Sequence, residues 1–306
     1  MRNASRGPTQ KTWRRSLVRL LVIAVCCYAA IVIMFVALQR SLMYPAMISA
    51  EPLAAANYRF GVDLADAATT TSDGVTLHGW YARPTDGDVV GRPLVLFFHG
   101  NGGNRVHRID DVDLLVGLNA EVLIFDYRGY AENAGTPSEA GLTLDARAAW
   151  DYATQELGIP ANRVLLFGES LGGGVAVALA AEKCVAGTPP AGLVLRSTFS
   201  SMTDAASHHY PWLPIRLALL DRYDSISRIG SVTCPLLMMH GDADPVVPDV
   251  LGKRLFDAAP KESGSGVAKR FVALQGAGHN DVLDMSRGAM RAAIENFLRD
   301  VRSPRE

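Results

Sequence analysis

Residues 163–174, RVLLFGESLGGG, decide the fold of this chain. The apolar run VLLF feeds Gly168-Glu169-Ser170-Leu171-Gly172, a G-x-S-x-G pattern in which a strand turns into a helix around a serine. The turn is so sharp that the serine adopts a strained backbone, and side chains on either flank would collide with it. Glycine at 168 and 172 removes those side chains and makes Ser170 a candidate nucleophile. Three fixed positions in five also recur by chance, and a glycine-rich turn of any α/β protein would read the same way. The rest of the chain has to supply the partners.

Outward from this stretch the chain alternates short apolar runs with helical patterns. The runs are VTLHGWYA (75–82), LVLFFHG (94–100), EVLIFDY (121–127), RVLLFGE (163–169), GLVLRST (192–198), PLLMMHG (235–241) and RFVALQG (270–276). Near-continuous apolarity in all but the first predicts strands buried on both faces of a mostly parallel sheet, whereas VTLHGWYA alternates and suits an antiparallel edge hairpin. Thr136-Pro137-Ser138-Glu139 reads as a capping box with proline at the first helical position, followed by an apolar stripe through Leu142, Ala146, Ala149, Ala153 and Leu157. Leu171–Ala181 reads as a small-residue helix behind the serine, and 282–301 as an amphipathic helix through Met290, Ile294, Phe297 and Val301. The pattern predicts an α/β doubly wound fold with helices on both faces of the sheet. In such sheets ligands bind at the carboxyl ends of the strands.

The N-terminus has a different character. Residues 20–38, LLVIAVCCYAAIVIMFVAL, contain no charge, and 19 helical residues span roughly 28 Å, about the thickness of a bilayer core. The run is long for a signal peptide and lacks a small-x-small cleavage site, which favours a retained signal anchor, a transmembrane helix, over a cleaved leader or a buried core helix. Arg2, Arg6, Lys11, Arg14, Arg15 and Arg19 precede it and only Arg40 follows closely. The positive-inside bias then puts the N-terminus in the cytoplasm and the body on the extracytoplasmic side, periplasmic in a bacterium. The expected organisation is a basic segment (1–19), the anchor (20–38), a connector (39–66) and one domain (67–302). Formal net charge is −1, but with seven basic residues among the first 40 the remainder has 23 basic against 31 acidic, which argues against nucleic acid as a partner. Cys184 and Cys234 in the body make neither a zinc site nor a disulfide scaffold, and read as small apolar fillers with an optional bridge.

A serine hydroxyl needs a base within hydrogen-bond reach and an acid to orient that base. In chains with this elbow the order is nucleophile, acid, base, so His78, His99 and His107 come too early. His208 and His209 precede the best acid candidates, and His240, closing an apolar run, is expected to face the interior or order the next loop. His279, in QGAGHND after the last apolar run, is left as the base. For the acid, HGDADPVVP offers Asp242 and Asp244, with Asp224 and Asp281 as weaker alternatives. His99-Gly100-Asn101-Gly102-Gly103-Asn104, after the run LVLFF, stands where backbone donors for an oxyanion belong, and the amides of Asn101 and Leu171 are the expected donors. The same loop fails as a phosphate cradle: it lacks the third glycine of the dinucleotide fingerprint, and no G-x-x-x-x-G-K-[ST] occurs.

Taken in order, FFHGNGGN, FDYRGY with AGTPSEAGLTLDA, GESLGGG, HGDADPVVP and GAGHND resemble the α/β-hydrolase superfamily over residues 75–300. The nearest likeness is to membrane-anchored α/β-hydrolase-domain serine hydrolases, which include acyl-protein thioesterases and lysophospholipid lipases. The resemblance implies an α/β-hydrolase fold, a Ser170, Asp244 and His279 triad, and Asn101 and Leu171 at the oxyanion hole; it is what prefers Asp244 over Asp242, which would cap the turn. Where that family carries Gly-x-Ser after DYRGY, this chain has Ala131-Glu132-Asn133, a departure that touches substrate preference more than catalysis.

Residues 199–233 form the longest insertion between strands and are expected to make a small lid, with Tyr210, Trp212, Leu213, Leu217 and Leu220 as an acyl-binding wall or a membrane-facing surface; an ordinary helix on the sheet edge is the competing reading. The expected reaction is hydrolysis of an ester or thioester of a lipid, a small molecule or an acylated protein near the membrane through an acyl-enzyme, needing no metal or organic cofactor. Because the base must be neutral, activity is expected to fall below about pH 6.5. A serine peptidase and a catalytically idle membrane-bound binding protein are the alternatives.

Overall fold

All seven apolar runs become strands of one eight-stranded sheet in the computed structural model, which describes residues 10–46, 48–49, 51–58, 62–86 and 91–302. The strands are β1 (Asp63–Thr70), β2 (Thr76–Arg83), β3 (Leu94–Phe98), β4 (Glu121–Phe125), β5 (Val164–Glu169), β6 (Gly192–Arg196), β7 (Leu236–Gly241) and β8 (Arg270–Leu274), in the order β1-β2-β4-β3-β5-β6-β7-β8. β1 and β2 form the antiparallel edge, β2 meets β4 antiparallel, and the rest run parallel. Basic residues of the N-terminal segment at 1–9 lie outside the described residues, as do positions 47, 50 and 59–61 of the expected connector.

Alternate side chains of the central strands point to opposite faces, and both faces are buried. Leu94, Leu96, Leu166, Leu195 and Met238 pack with α3 (Glu139–Asp151), α4 (Leu171–Val185) and α8 (Asp249–Ala258). Val95, Phe97, Phe167, Val194 and Met239 pack with α2 (Ile109–Val116) and α9 (Val282–Arg302). Each such large apolar side chain contributes about 1.5–3 kcal/mol by leaving water, so the sheet is a stiff platform for whatever its strand ends carry.

Three local readings shift. The cap of α3 is Ser138, whose hydroxyl accepts from the Gly141 amide at 3.1 Å, so the helix starts two residues later than Thr136-Pro137 suggests and no capping box closes. The stripe Leu142, Ala146, Ala149 and Ala153 is buried as expected. The stretch before residue 67 is more than a connector: DLADAATT is the edge strand β1, a pattern of Ala, Asp and Thr too weakly apolar to read as a strand. The N-terminal helix α1 runs Gln10–Met43, five residues beyond the end of the 20–38 run, because it is Pro45 rather than Arg40 that stops it. It is long and apolar enough to cross a membrane.

The insertion after β6 folds as α5 (Met202–His209), α6 (Ile215–Ala218) and α7 (Ser225–Arg228). Cys184 and Cys234 are free thiols in contact: a hydrogen bond from Cys234, opposed by burial and aided by the Thr233 amide at 3.4 Å, brings the Cys184 thiol down to about 5.

Candidate active site

Ser170 stands between β5 and α4 with φ of +50° and ψ of −115°, a conformation costing on the order of 1–3 kcal/mol that the surrounding bonds enforce. Its amide donates to the Arg196 carbonyl at 2.9 Å, and its carbonyl accepts from the Thr198 hydroxyl at 2.8 Å and the Gly173 amide at 2.9 Å. The glycines are required for the reason their spacing suggests. A Cβ on Gly168 would come within 2.6 Å of the Gly172 carbonyl oxygen, and one on Gly172 would sit on the Phe98 carbonyl.

The loops after β5, β7 and β8 converge. His279 Nε2 lies 3.0 Å from Ser170 Oγ, and its Nδ1 lies 2.6 Å from Asp244 Oδ2. The other oxygen of Asp244 accepts the amides of Val246 and Val247, both at 2.8 Å. Burial pushes the Asp244 carboxyl up, but His240, His279 and the Val247 amide more than offset this and hold it well below the usual carboxylate range. His240 faces the interior, as its position in an apolar run suggests: Nε2 bonds the Val247 carbonyl at 2.8 Å and lies 3.5 Å from Asp244, so it shapes the acid's loop from beneath. Asp242 is turned away and accepts the Gly276 amide at 2.7 Å, and Asp281 likewise accepts the Gly278 amide at 2.7 Å. Asp224 precedes α7 and makes no side-chain cap there.

Leu171 opens α4, where an amide has no acceptor within its own helix. The Asn101 amide finds no acceptor among the described residues, while its carbonyl accepts from the Tyr130 hydroxyl at 2.9 Å. The Asn101 side chain has a role that the sequence did not suggest: Nδ2 donates to the Met43 carbonyl at 2.9 Å, joining this loop to the last residue of α1. The segment after Pro45 then runs beside the loop, with a bridge between Ala46 and Gly103.

Ser170 and Asn101 lie where two cavities meet. One, of about 530 Å³, is polar, bounded by Arg108, Glu169, Arg196 and His279, with Asp110 and Asp284 at its edge. Arg108 pairs with Glu169 at 2.6 Å, and Arg196 with Asp111 at 2.5 Å and Glu169 at 3.3 Å. Burial raises the Glu169 carboxyl, but the two guanidinium groups prevail and keep it ionised. This four-membered network escaped the sequence reading, because its members are scattered singly over 108–196.

The other cavity, of about 280 Å³, is apolar, lined by Phe35, Met43, Leu171, Phe199, Ala206 and Tyr210 among others. Of the expected acyl-wall residues only Tyr210 lines it. Leu213 is buried within the core, and Trp212, Leu217 and Leu220 face outward, 55, 87 and 61% exposed. The turn after α5 rotates these side chains away from the serine, and α1 fills the place they were expected to take. Ala131-Glu132-Asn133 lines neither cavity. Glu132 pairs with buried Arg105 at 2.5 Å, and Asn133 joins the His78 amide to the Asp126 carbonyl at 2.9 and 2.7 Å, so the departure serves the scaffold.

Residues 93–226 match the model of the alpha/beta hydrolase fold. The chain is 42% identical over 279 residues to an uncharacterised protein of Mycobacterium tuberculosis, covering 91% of this chain and 94% of the other. It is 35% identical over 209 residues to the lysophosphatidylserine lipase ABHD12 of Danio rerio, covering 63% of this chain but 53% of the lipase, so it spans about half that relative's length. Among solved structures, the Pyrococcus furiosus esterase Pf2001 superposes with a TM-score of 0.64 at 16% identity, covering 84% of this chain and 98% of the esterase.

Proposed function

We propose, from the premise that this chain belongs to the alpha/beta-hydrolase family, that it is a membrane-anchored serine hydrolase cleaving carboxylic ester or thioester bonds of lipids. The observation that carries this reading is the hydrogen-bonded line Ser170, His279, Asp244 at the junction of a polar and an apolar cavity. Such a junction suits a substrate with an acyl chain on one side of its scissile bond and a polar alcohol on the other.

His279 Nε2 takes the Ser170 proton as Oγ adds to the carbonyl carbon, and the carbonyl π pair moves to oxygen, where the Asn101 and Leu171 amides receive it. Collapse expels the alkoxide or thiolate, which leaves protonated by His279. Water, deprotonated by the same imidazole, then releases the acid and restores the serine. Asp244 stays ionised throughout and fixes the imidazole with Nε2 toward Ser170. The polar cavity would take the leaving group; its guanidinium charges are neutralised internally and its edge is acidic, which favours a headgroup carrying an ammonium or neutral hydroxyls. The apolar cavity speaks for lipid over peptide substrates, since a peptide would bring unpaired amides into it. In this reading α1 is the membrane anchor, with the basic N-terminal end cytoplasmic.

The test is labelling of the full chain with a fluorophosphonate probe, with hydrolysis of a lysophospholipid and a matched acyl thioester measured in parallel. Labelling and turnover should both vanish in Ser170→Ala. Turnover that survives in this variant would remove Ser170 as nucleophile.

A further inference from the structure

Residues 20–30 of α1 are all exposed, eleven consecutive positions without a charge. From Val32 onward one stripe changes character: Val32, Phe35 and Val36 are half-buried, and Gln39 and Met43 are buried, at the spacing of a single helix face. That face meets the insertion. Gln39 accepts the Leu220 amide at 2.8 Å and donates to the Ala218 carbonyl at 3.3 Å, and Arg40 pairs with Asp221 at 2.9 Å. Phe35 packs against Tyr210, with ring centroids 5.6 Å apart. Higher still, the Tyr28 hydroxyl donates to the Trp212 carbonyl at 2.9 Å. Tyr28 lies eleven residues before Gln39, about 16 Å along the axis. The insertion therefore lies lengthwise against the second half of the uncharged run rather than below it. With 20–38 filling a bilayer core, Tyr210 and Trp212 sit inside the apolar layer, exposed Trp212 faces lipid, and exposed Leu42 and Leu217 lie at the edge of that layer.

We propose that α1 is itself a wall of the acyl-chain site, and that one acyl chain of a bilayer lipid enters sideways between α1 and α5 to reach Ser170. This rests on the serine hydrolase reading above. The cavity between these helices has Ser170 and Asn101 at its floor and Leu42, Phe35, Ala206 and Tyr210 on its sides, and among the described residues its polar lining is Gln39, His209, Asn101, Ser170 and the Tyr210 hydroxyl. A lipid already dissolved in hydrocarbon gains nothing by exchanging one apolar surrounding for another. It loses heavily if its chain must cross water, roughly fourfold in population per exposed methylene. A site opening into the bilayer removes that crossing, which a soluble enzyme with a deep tunnel cannot do. The clasp of the Asn101 side chain on the Met43 carbonyl then ties the chain-holding helix to the loop expected to hold the oxyanion.

The experiment uses the full chain in phosphatidylcholine vesicles and two fluorophosphonates, ethyl and hexadecyl. Ser170 should react at least tenfold faster with the hexadecyl probe, and Leu42→Trp on α1 and Ala206→Trp on α5 should each lower the hexadecyl-to-ethyl ratio at least tenfold. Equal rates for the two probes in the unsubstituted chain, or a ratio that falls in Ala206→Trp and holds in Leu42→Trp, would overturn the proposal and leave α1 a tether. No reaction with either probe would remove the hydrolase reading itself, and this proposal with it. Entry from the bilayer has its own readout. The fluorescence lost in Trp212→Phe isolates Trp212 emission, which should drop at least twofold in vesicles whose lipids carry bromine at mid-chain; an unchanged emission would put the lid outside the apolar layer and refute sideways entry.

Discussion

The two cavities that meet at Ser170 are built by different rules. The polar one is walled by loops leaving β3, β5 and β6, strands buried on both faces, and by the loop leaving the half-buried edge strand β8, so most of its atoms are positioned by the stiffest part of the molecule. The apolar one is walled largely by α1 and α5, and α1 is held to the segment that follows α5 by the Tyr210 ring, the Trp212 carbonyl and the Leu220 amide. The difference teaches that the proposed chemistry and the proposed substrate selection belong to separable parts. Changes on the sheet side should act on every substrate alike, whereas changes on the helix side should act according to chain length.

The largest effect should come from Asp244→Asn. An amide can still meet His279 but favours the wrong tautomer, and the loss in kcat/KM should be on the order of 10⁴-fold. It should be the same for a butyrate and a palmitate ester; a loss that depended on chain length would erase the distinction between the two sides. Acid gives a second handle on the same group. The Asp244 carboxyl is depressed in the fold, so its contribution to stability is fully present above the ordinary carboxylate value of about 4 and is lost only as pH falls through its lower folded value. At pH 4.5 this loop should therefore stay intact. Activity assayed at pH 7.5 after an hour at pH 4.5 should return in full, and a persistent loss would mean that the carboxylate is not held as described.

Next in size is Gly172→Ala. The new methyl group has to displace the Phe98 carbonyl at the end of β3, backbone against backbone, and cannot be absorbed by a rotamer change. We expect about 1–3 kcal/mol of lost stability in a denaturant melt of the full chain, with labelling of Ser170 reduced for short and long probes in equal proportion. A variant as stable as the parent would show that the elbow is looser than its +50° serine indicates.

How much of this was legible in the sequence follows the same division. Near-continuous runs such as LVLFF and VLLF mark strands with two buried faces, and the residues after them are fixed in space once the strand order is known. This is why Ser170, Asn101 and His279 could be named as candidates from their places after the runs, whereas the choice of Asp244 over Asp242 needed the family resemblance. DLADAATT escaped because an edge strand buries too little to need an apolar pattern. Trp212, Leu213 and Leu217 were left between an acyl-binding wall and a membrane-facing surface for a different reason: a run of apolar residues says that a face is covered, never by what. In the insertion the covering element was a helix more than 180 positions away, whose own apolar run reads as nothing but a membrane span. Glu132 and Asn133 carried no signal of their partners, since Arg105 and His78 are distant in sequence.

Asn101→Ala gives the smallest effect and the most informative one, because Asn101 lies in both cavities. Its backbone amide remains, so the oxyanion donor survives; what is lost is the hydrogen bond from Nδ2 to the Met43 carbonyl. A net bond of this kind contributes about 1 kcal/mol, and leaving a half-buried carbonyl unpaired adds to that, so kcat/KM should fall about tenfold. If the clasp only steadies the loop, the factor will be equal for short and long esters, and the residue belongs to the sheet side. If it holds α1 in register with the serine, the long ester will suffer several times more than the short one. A separate measurement decides between them without any substrate: in Asn101→Ala the Trp212 emission reports the lid against α1, and it should shift only in the second case. No change in either rate would show that the Met43 carbonyl is as well served by water, and that the end of α1 is set by Gln39 and Arg40 alone.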